Sequence, residues 1–187
     1  RPIYFVSSNT HSLVNLLSGF ALSKQRQLID FVNSADQPAL LAEWQDIQNK
    51  AVPSSRENFF YYVMKKFQSS AAGAEAWQEQ LRFEKERGIF RFPSMHAFDT
   101  EAQVIDISKL NPTSIDSRIT PCAQPGCREW AFLPNSDALI VNIDYPLGFG
   151  AYHLLTKIAE NAAQILGIYV MGKAASLNGV RGDVILP

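Results

Sequence analysis

The feature that most constrains this chain is a succession near its end: DALIVNID (137–144), AYHLLTKIAENAAQIL (151–166) and GIYVM (167–171). The first is a nearly unbroken apolar run, which predicts a strand buried on both faces. YPLGFG then breaks it with proline and glycine. The second segment sets Leu154, Leu155, Ile158, Ala162 and Ile165 on one helical face. Strand, helix, strand is a βαβ unit, which predicts a right-handed crossover and parallel pairing. The expected fold class is α/β with a parallel or mixed sheet.

The start of the chain fits this frame. IYFVSS (3–8) predicts a short buried strand, NTHS a polar loop, and Leu13, Leu16, Leu17 and Phe20 a helix beginning near Thr10 or Ser12. Residues 25–90 predict a large helical insert. LLAEWQDIQNK (40–50) consists of good helix formers. SSRENFFYYVMKKF (54–67) opens on a capping box from Ser54 to Glu57. Its Phe59, Phe60, Val63, Met64 and Phe67 share one face, which predicts core or, less commonly, a ligand or partner groove. AEAWQEQLRFEKERG (74–88) predicts a charged, solvent-facing helix stopped by Gly88, with KERGIFR (85–91) as a solvated positive end. Beyond it, QVIDIS (103–108) predicts a strand, residues 110–128 a loop, and REWAF (128–132) a short strand. The whole is expected to be a single α/β domain over 1–187.

Composition closes off several functions. The formal net charge is −1, which gives no overall pull toward nucleic acid or an anionic membrane. No apolar run approaches the ~18–20 residues that span a bilayer. Cys122 and Cys127, with His11, His96 and His153 scattered, do not complete a zinc signature, so no metal is expected. Two reduced thiols predict a cytoplasmic protein.

In open α/β sheets, ligands gather at the carboxyl ends of strands. Three loops qualify: SSNTH, DYPLGFG and GKAASLNG. They bring Ser7, Ser8, Asn9, Thr10, His11, Asp144, Tyr145, Lys173 and Ser176 as candidate phosphate- or ribose-binding residues. Hydroxyls, backbone N–H groups and one lysine suit an anionic, hydroxyl-rich ligand. The same residue types also serve as ordinary turns and caps. There is no Walker motif and no G-x-G-x-x-G after a strand. No catalytic triad or carboxylate pair can be placed, so catalytic residues stay unassigned.

ALIVNIDYPLGFGAYHLLTKI, then IYVMGKAASL, then GDVILP, covering 138–187, resembles the nucleoside phosphorylase and nucleosidase superfamily, including AMP nucleosidase-like members. The resemblance implies a phosphorylase-like (Rossmann-like) sheet. It also implies cleavage of the N-glycosidic bond of a purine nucleoside or nucleotide by phosphate or water. Inorganic phosphate would be a co-substrate, with no other cofactor. Lys173 falls at a position that contacts phosphate in that family, and SSNTH at its first phosphate loop. Because the family's base-binding segment follows the GDV strand, the resemblance implies that 1–187 is part of a longer protein. The expected partners are a small nucleoside, nucleotide or phosphosugar and further copies of the chain in a homo-oligomer. Asp144, Pro146 and Lys173 depart from the family's text, which keeps an alternative open: a non-catalytic nucleotide- or phosphosugar-binding regulatory module.

Overall fold

The computed structural model describes residues 1–34, 37–52, 55–95, 100–119, 129–146 and 148–172. Its five-stranded sheet comprises β1 (Pro2–Ser8), β2 (Ile89–Phe92), β3 (Ala102–Asp106), β4 (Leu139–Asp144) and β5 (Gln164–Val170) in the order β2-β3-β4-β1-β5. β1 is parallel to both β4 and β5, whereas β2, β3 and β4 pair antiparallel. The protein is therefore α/β with a mixed sheet. β4 and β5 run parallel as the βαβ pattern requires, but they do not pair with each other, because β1 lies between them. β1 can occupy that position because Ile3, Phe5 and Val6 are all buried.

The helices are α1 (Ser12–Ser18), α2 (Phe20–Ser23), α3 (Gln25–Val32), α4 (Pro38–Gln48), α5 (Arg56–Gln68), α6 (Ala76–Glu86) and α7 (Gly148–Asn161). α2 to α6 form the helical excursion between β1 and β2. Gly19 makes the corner between α1 and α2 at φ +70°, where an added Cβ would lie 2.5 Å from the Ser114 carbonyl oxygen. Two cores result. Phe20, Leu28, Val32, Trp44, Phe59, Phe60, Val63, Met64 and Phe67 build the first, inside the helical layer. The aromatic face of α5 is thus core, with Trp44 stacked on Phe59 at 5.4 Å between centroids. Val14, Leu17, Ile89, Ile105, Leu110, Ile115 and Leu133 build the second, against the sheet.

Several local expectations are corrected. The cap of α5 is Ser55, whose side chain accepts from the Asn58 amide, with Glu57 in the first turn; Ser54 lies outside the described residues. α6 does not face solvent throughout, since Gln80 and Glu84 are buried. Gly88 does stop it, at φ +75°. The stretch Ile89–Phe92, not anticipated as a strand, pairs with β3. In REWAF, residues from Glu129 onward form 3₁₀ turns through Asn135; Leu133 enters the core and Pro134 has no N–H for a ladder. α7 ends at Asn161 rather than continuing to Leu166, because Gln164 and Ile165 are taken into register with Pro2 and Ile3. Pairing with β1 overrides the helical period there. Leu154, Leu155, Ile158 and Ala162 are half-buried, and α7 has no fully buried residue. Among the described residues no helix is long and apolar enough to cross a membrane.

Candidate functional site

The parallel trio brings the strand-end loops to one edge. Ser8 is in register with Asp144, and Ser7 with both Ile143 and Val170. The Met171 amide donates to the Ser7 carbonyl at 2.8 Å, which holds the exit from β5 beside that of β1. The first two loops also touch, the Asn9 Nδ2 lying 3.4 Å from the Tyr145 hydroxyl. Tyr145 has φ +41°, a conformation that costs a tyrosine ~1–2 kcal/mol. Its side chain remains exposed. Lys173 and Ser176, from the third loop, lie outside the described residues.

Most of the SSNTH polar groups point inward. Ser7, Ser8 and Thr10 are buried. The Ser8 hydroxyl donates to Asn142 Oδ1 at 2.9 Å, and the Thr10 hydroxyl to Glu101 Oε2 at 3.3 Å. Asn9 folds back on its own turn: its Oδ1 accepts from the amides of His11 (2.9 Å) and Ser12 (2.7 Å). Those two N–H groups, expected to face a ligand, therefore have an internal partner. His11 itself is exposed and makes no side-chain cap. Partial desolvation of the ring by its neighbours, then the charges of Lys65 and Arg91, lower its pKa below the ordinary histidine value, against the opposing effect of Asp144 and Glu101. Its neutral form is thereby favoured near neutral pH.

Beneath the loop runs a buried polar network. Asn142 and Gln103 face each other across β3 and β4, and Asn142 Nδ2 donates to Gln103 Oε1 at 3.1 Å. Gln103 Nε2 donates to the Thr10 carbonyl at 2.6 Å, and Arg91 Nη1 reaches the same oxygen at 3.4 Å. Arg91 also forks onto Glu84, Nε to Oε2 at 2.6 Å and Nη2 to Oε1 at 2.9 Å. Gln80 donates to Glu84, and Gln68 to Gln80. The positive end expected of KERGIFR is thus divided, Arg91 being paired and half-buried rather than solvated.

A cavity of about 210 Å³ opens where this network meets the helical layer, between α5, α6, β2 and the β1–α1 turn. His11, Lys65, Tyr62, Trp77, Gln68 and Arg91 are among its lining residues. The Arg91 guanidinium carbon lies 5.2 Å from the Trp77 ring centroid. Of these, the sequence pattern marks His11 as a candidate binding residue and Arg91 only as part of the positive KERGIFR end. The available signals were Gln103 and Asn142, polar residues inside otherwise apolar strands. Among the described residues no group of three or more His, Cys, Asp or Glu could hold a metal; Cys122, Cys127 and His96 lie outside that set.

Fold and site together define an α/β domain with three parallel strands opening on one loop-bearing edge, overlain by a helical layer. The model of a family of unknown function, DUF6909, matches residues 1–187, and the chain belongs to that family. No curated protein and no solved structure matches it.

Proposed function

We propose that the carboxyl edge of β4, β1 and β5 binds a purine nucleoside, nucleotide or phosphosugar, as a nucleoside phosphorylase-like or nucleotide N-glycosidase-like domain. The observation that carries this reading is the meeting of the β1 and β4 loops, with Ser8 and Asp144 in register and Asn9 against Tyr145. In this reading Asp144 accepts from ribose hydroxyls and Tyr145 covers the sugar or base. Phosphate or water then attacks C1′ as the base departs with the bonding electrons. The positive charge developing on the sugar is stabilised by nearby negative groups. Inorganic phosphate is the co-substrate if the reaction is phosphorolysis, and a homo-oligomer is the expected assembly.

Adenosine, inosine and AMP, each with and without phosphate, provide the test, with base release followed by chromatography and binding by calorimetry. Release that falls at least tenfold in Asp144→Asn supports the enzyme. Absence of both release and binding overturns the reading.

A second reading rests on a specific observation. The Ser8 and Thr10 hydroxyls and the Asn9 carboxamide oxygen have internal partners. That leaves few groups for transition-state contacts and favours a regulatory module. Saturable binding without base release is its signature.

A further inference from the structure

We propose that the cavity between α5, α6 and the β1–α1 turn is a phosphate site, with the Lys65 ammonium and the His11 imidazole as donors above the fixed Arg91–Glu84 ion pair. The proposal goes beyond the strand-loop reading, because the cavity belongs mainly to the helical layer; the two share His11, and the Lys65 variants separate them.

Charge comes first. Among the described residues no carboxylate lines the cavity. Glu84, the acid nearest to Arg91, is fully buried and both its oxygens accept from that arginine. Asp144 and Glu101 act on His11 electrostatically, but neither lines the cavity. Lys65 forms no ion pair among the described residues and is exposed on α5, so its ammonium is available to an incoming anion. A lysine is suited to hold phosphate as a mobile point charge.

Preorganisation comes second. Arg91 is fixed by its fork onto Glu84, which in turn accepts from Gln80. The Arg91 guanidinium, its charge balanced by Glu84, therefore needs no ordering when the ligand arrives. His11 is held in place by the Asn9 turn, whose Oδ1 binds its amide. Tyr62 and Trp77 supply ring surface at the wall.

Size comes third. About 210 Å³ is below the ~300–1,000 Å³ of drug-sized ligand pockets. It suits inorganic phosphate or the phosphate end of a small monoester.

The test is a titration of the full chain with inorganic phosphate and, separately, with ribose 5-phosphate. Binding is read from the His11 ring resonances by NMR, assigned with His11→Gln, and from calorimetry. Either ligand is expected to move the His11 ring signals and raise its titration midpoint. Lys65→Met should weaken binding about tenfold or more, as expected for loss of a charge-assisted contact, while Lys65→Arg retains it. Lys85→Met, at an exposed position on α6, should leave it unchanged. Tighter binding of the sugar phosphate identifies a monoester site, and tighter binding of inorganic phosphate identifies a free-ion site. His11 signals unmoved by millimolar amounts of both, or equal affinity in Lys65→Met and the unaltered chain, overturn the proposal.

Discussion

Replacing Glu84 by Gln tests the buried network directly. Glu84 is fully buried, and its two oxygens accept from three donors: Arg91 Nε, Arg91 Nη2 and Gln80 Nε2. A glutamine at this position has one acceptor oxygen and presents an NH₂ group toward donors. At least one hydrogen bond is lost, and the Arg91 guanidinium, only 12% exposed, loses its counter-charge. Breaking a buried pair on one side costs ~3–5 kcal/mol. Against a total stability of ~5–15 kcal/mol for a domain, that is a large fraction. In a chain of this length each kcal/mol lowers the melting temperature by ~2–4 °C. The expected loss is therefore on the order of 6–20 °C. Urea unfolding followed by far-UV circular dichroism measures the free energy. The double variant Glu84→Leu, Arg91→Met should recover most of the loss, because neither charge then remains buried. A Glu84→Gln cost below ~1 kcal/mol, the range of an exposed pair, would refute the reasoning.

Asp116 accepts from Arg118 Nη2 at 2.6 Å and from the Tyr61 hydroxyl at 2.6 Å. The Arg118 hydrogen bonds are the main cause of its pKa of about 2 in the folded state. The pair therefore stabilises the fold by about 2 kcal/mol above the unfolded carboxyl pKa, and this is lost as pH falls through about 2. Urea midpoints of the unaltered chain and Asp116→Asn should converge in acid and separate near neutrality; a gap independent of pH counts against it. Gly19→Ala places a side chain at φ +70° against the Ser114 carbonyl. It should cost at least ~1–2 kcal/mol in urea unfolding, and a neutral result would mean that the α1–α2 corner shifts freely. Tyr145→Gly should raise the urea midpoint by relieving φ +41° while weakening nucleoside binding, and an unchanged midpoint argues against strain at that position.

The parts of the fold legible in the sequence were those with an uninterrupted apolar run or period. β1 and β4 are consecutive apolar runs and α5 repeats apolar residues at helical spacing, and each lies within a few residues of where that pattern puts it. β2 escaped because IFRF has only four residues and follows a helix stop directly. β5 was partly hidden because Ala162 and Ile165 continue the α7 period, and only pairing with β1 decides between helix and strand. The site was legible to a similar extent. That strand-end loops converge follows from parallel order, so Asp144 and Tyr145 were found beside Asn9. Which groups face a ligand depends on side-chain direction. Ser8 and Thr10 turned inward because Asn142 and Glu101 offered acceptors there. Lys65, Trp77 and Arg91 meet His11 only through the packing of the helical layer on the sheet, and no local spacing encodes that.

That packing ties the two halves of the molecule through one backbone oxygen. The Thr10 carbonyl accepts from Gln103 on β3 and reaches Arg91 on β2. Both donors come from the antiparallel half of the sheet, whereas Thr10 follows the central parallel strand. Arg91 is in turn fixed by Glu84 on α6, and Glu84 is linked through Gln80 to Gln68 on α5. A buried chain of this kind adds little net stability over an apolar core of the same shape. It does make geometry exacting, because a shift at any member leaves a buried donor or acceptor unpaired. The turn that carries Asn9 and His11 is therefore held in one conformation by the helical layer, and a displacement of α6 must be felt at the strand edge. The helical layer thus acts as the scaffold of the β1 turn, and the cavity and the loop edge share His11 as their common boundary.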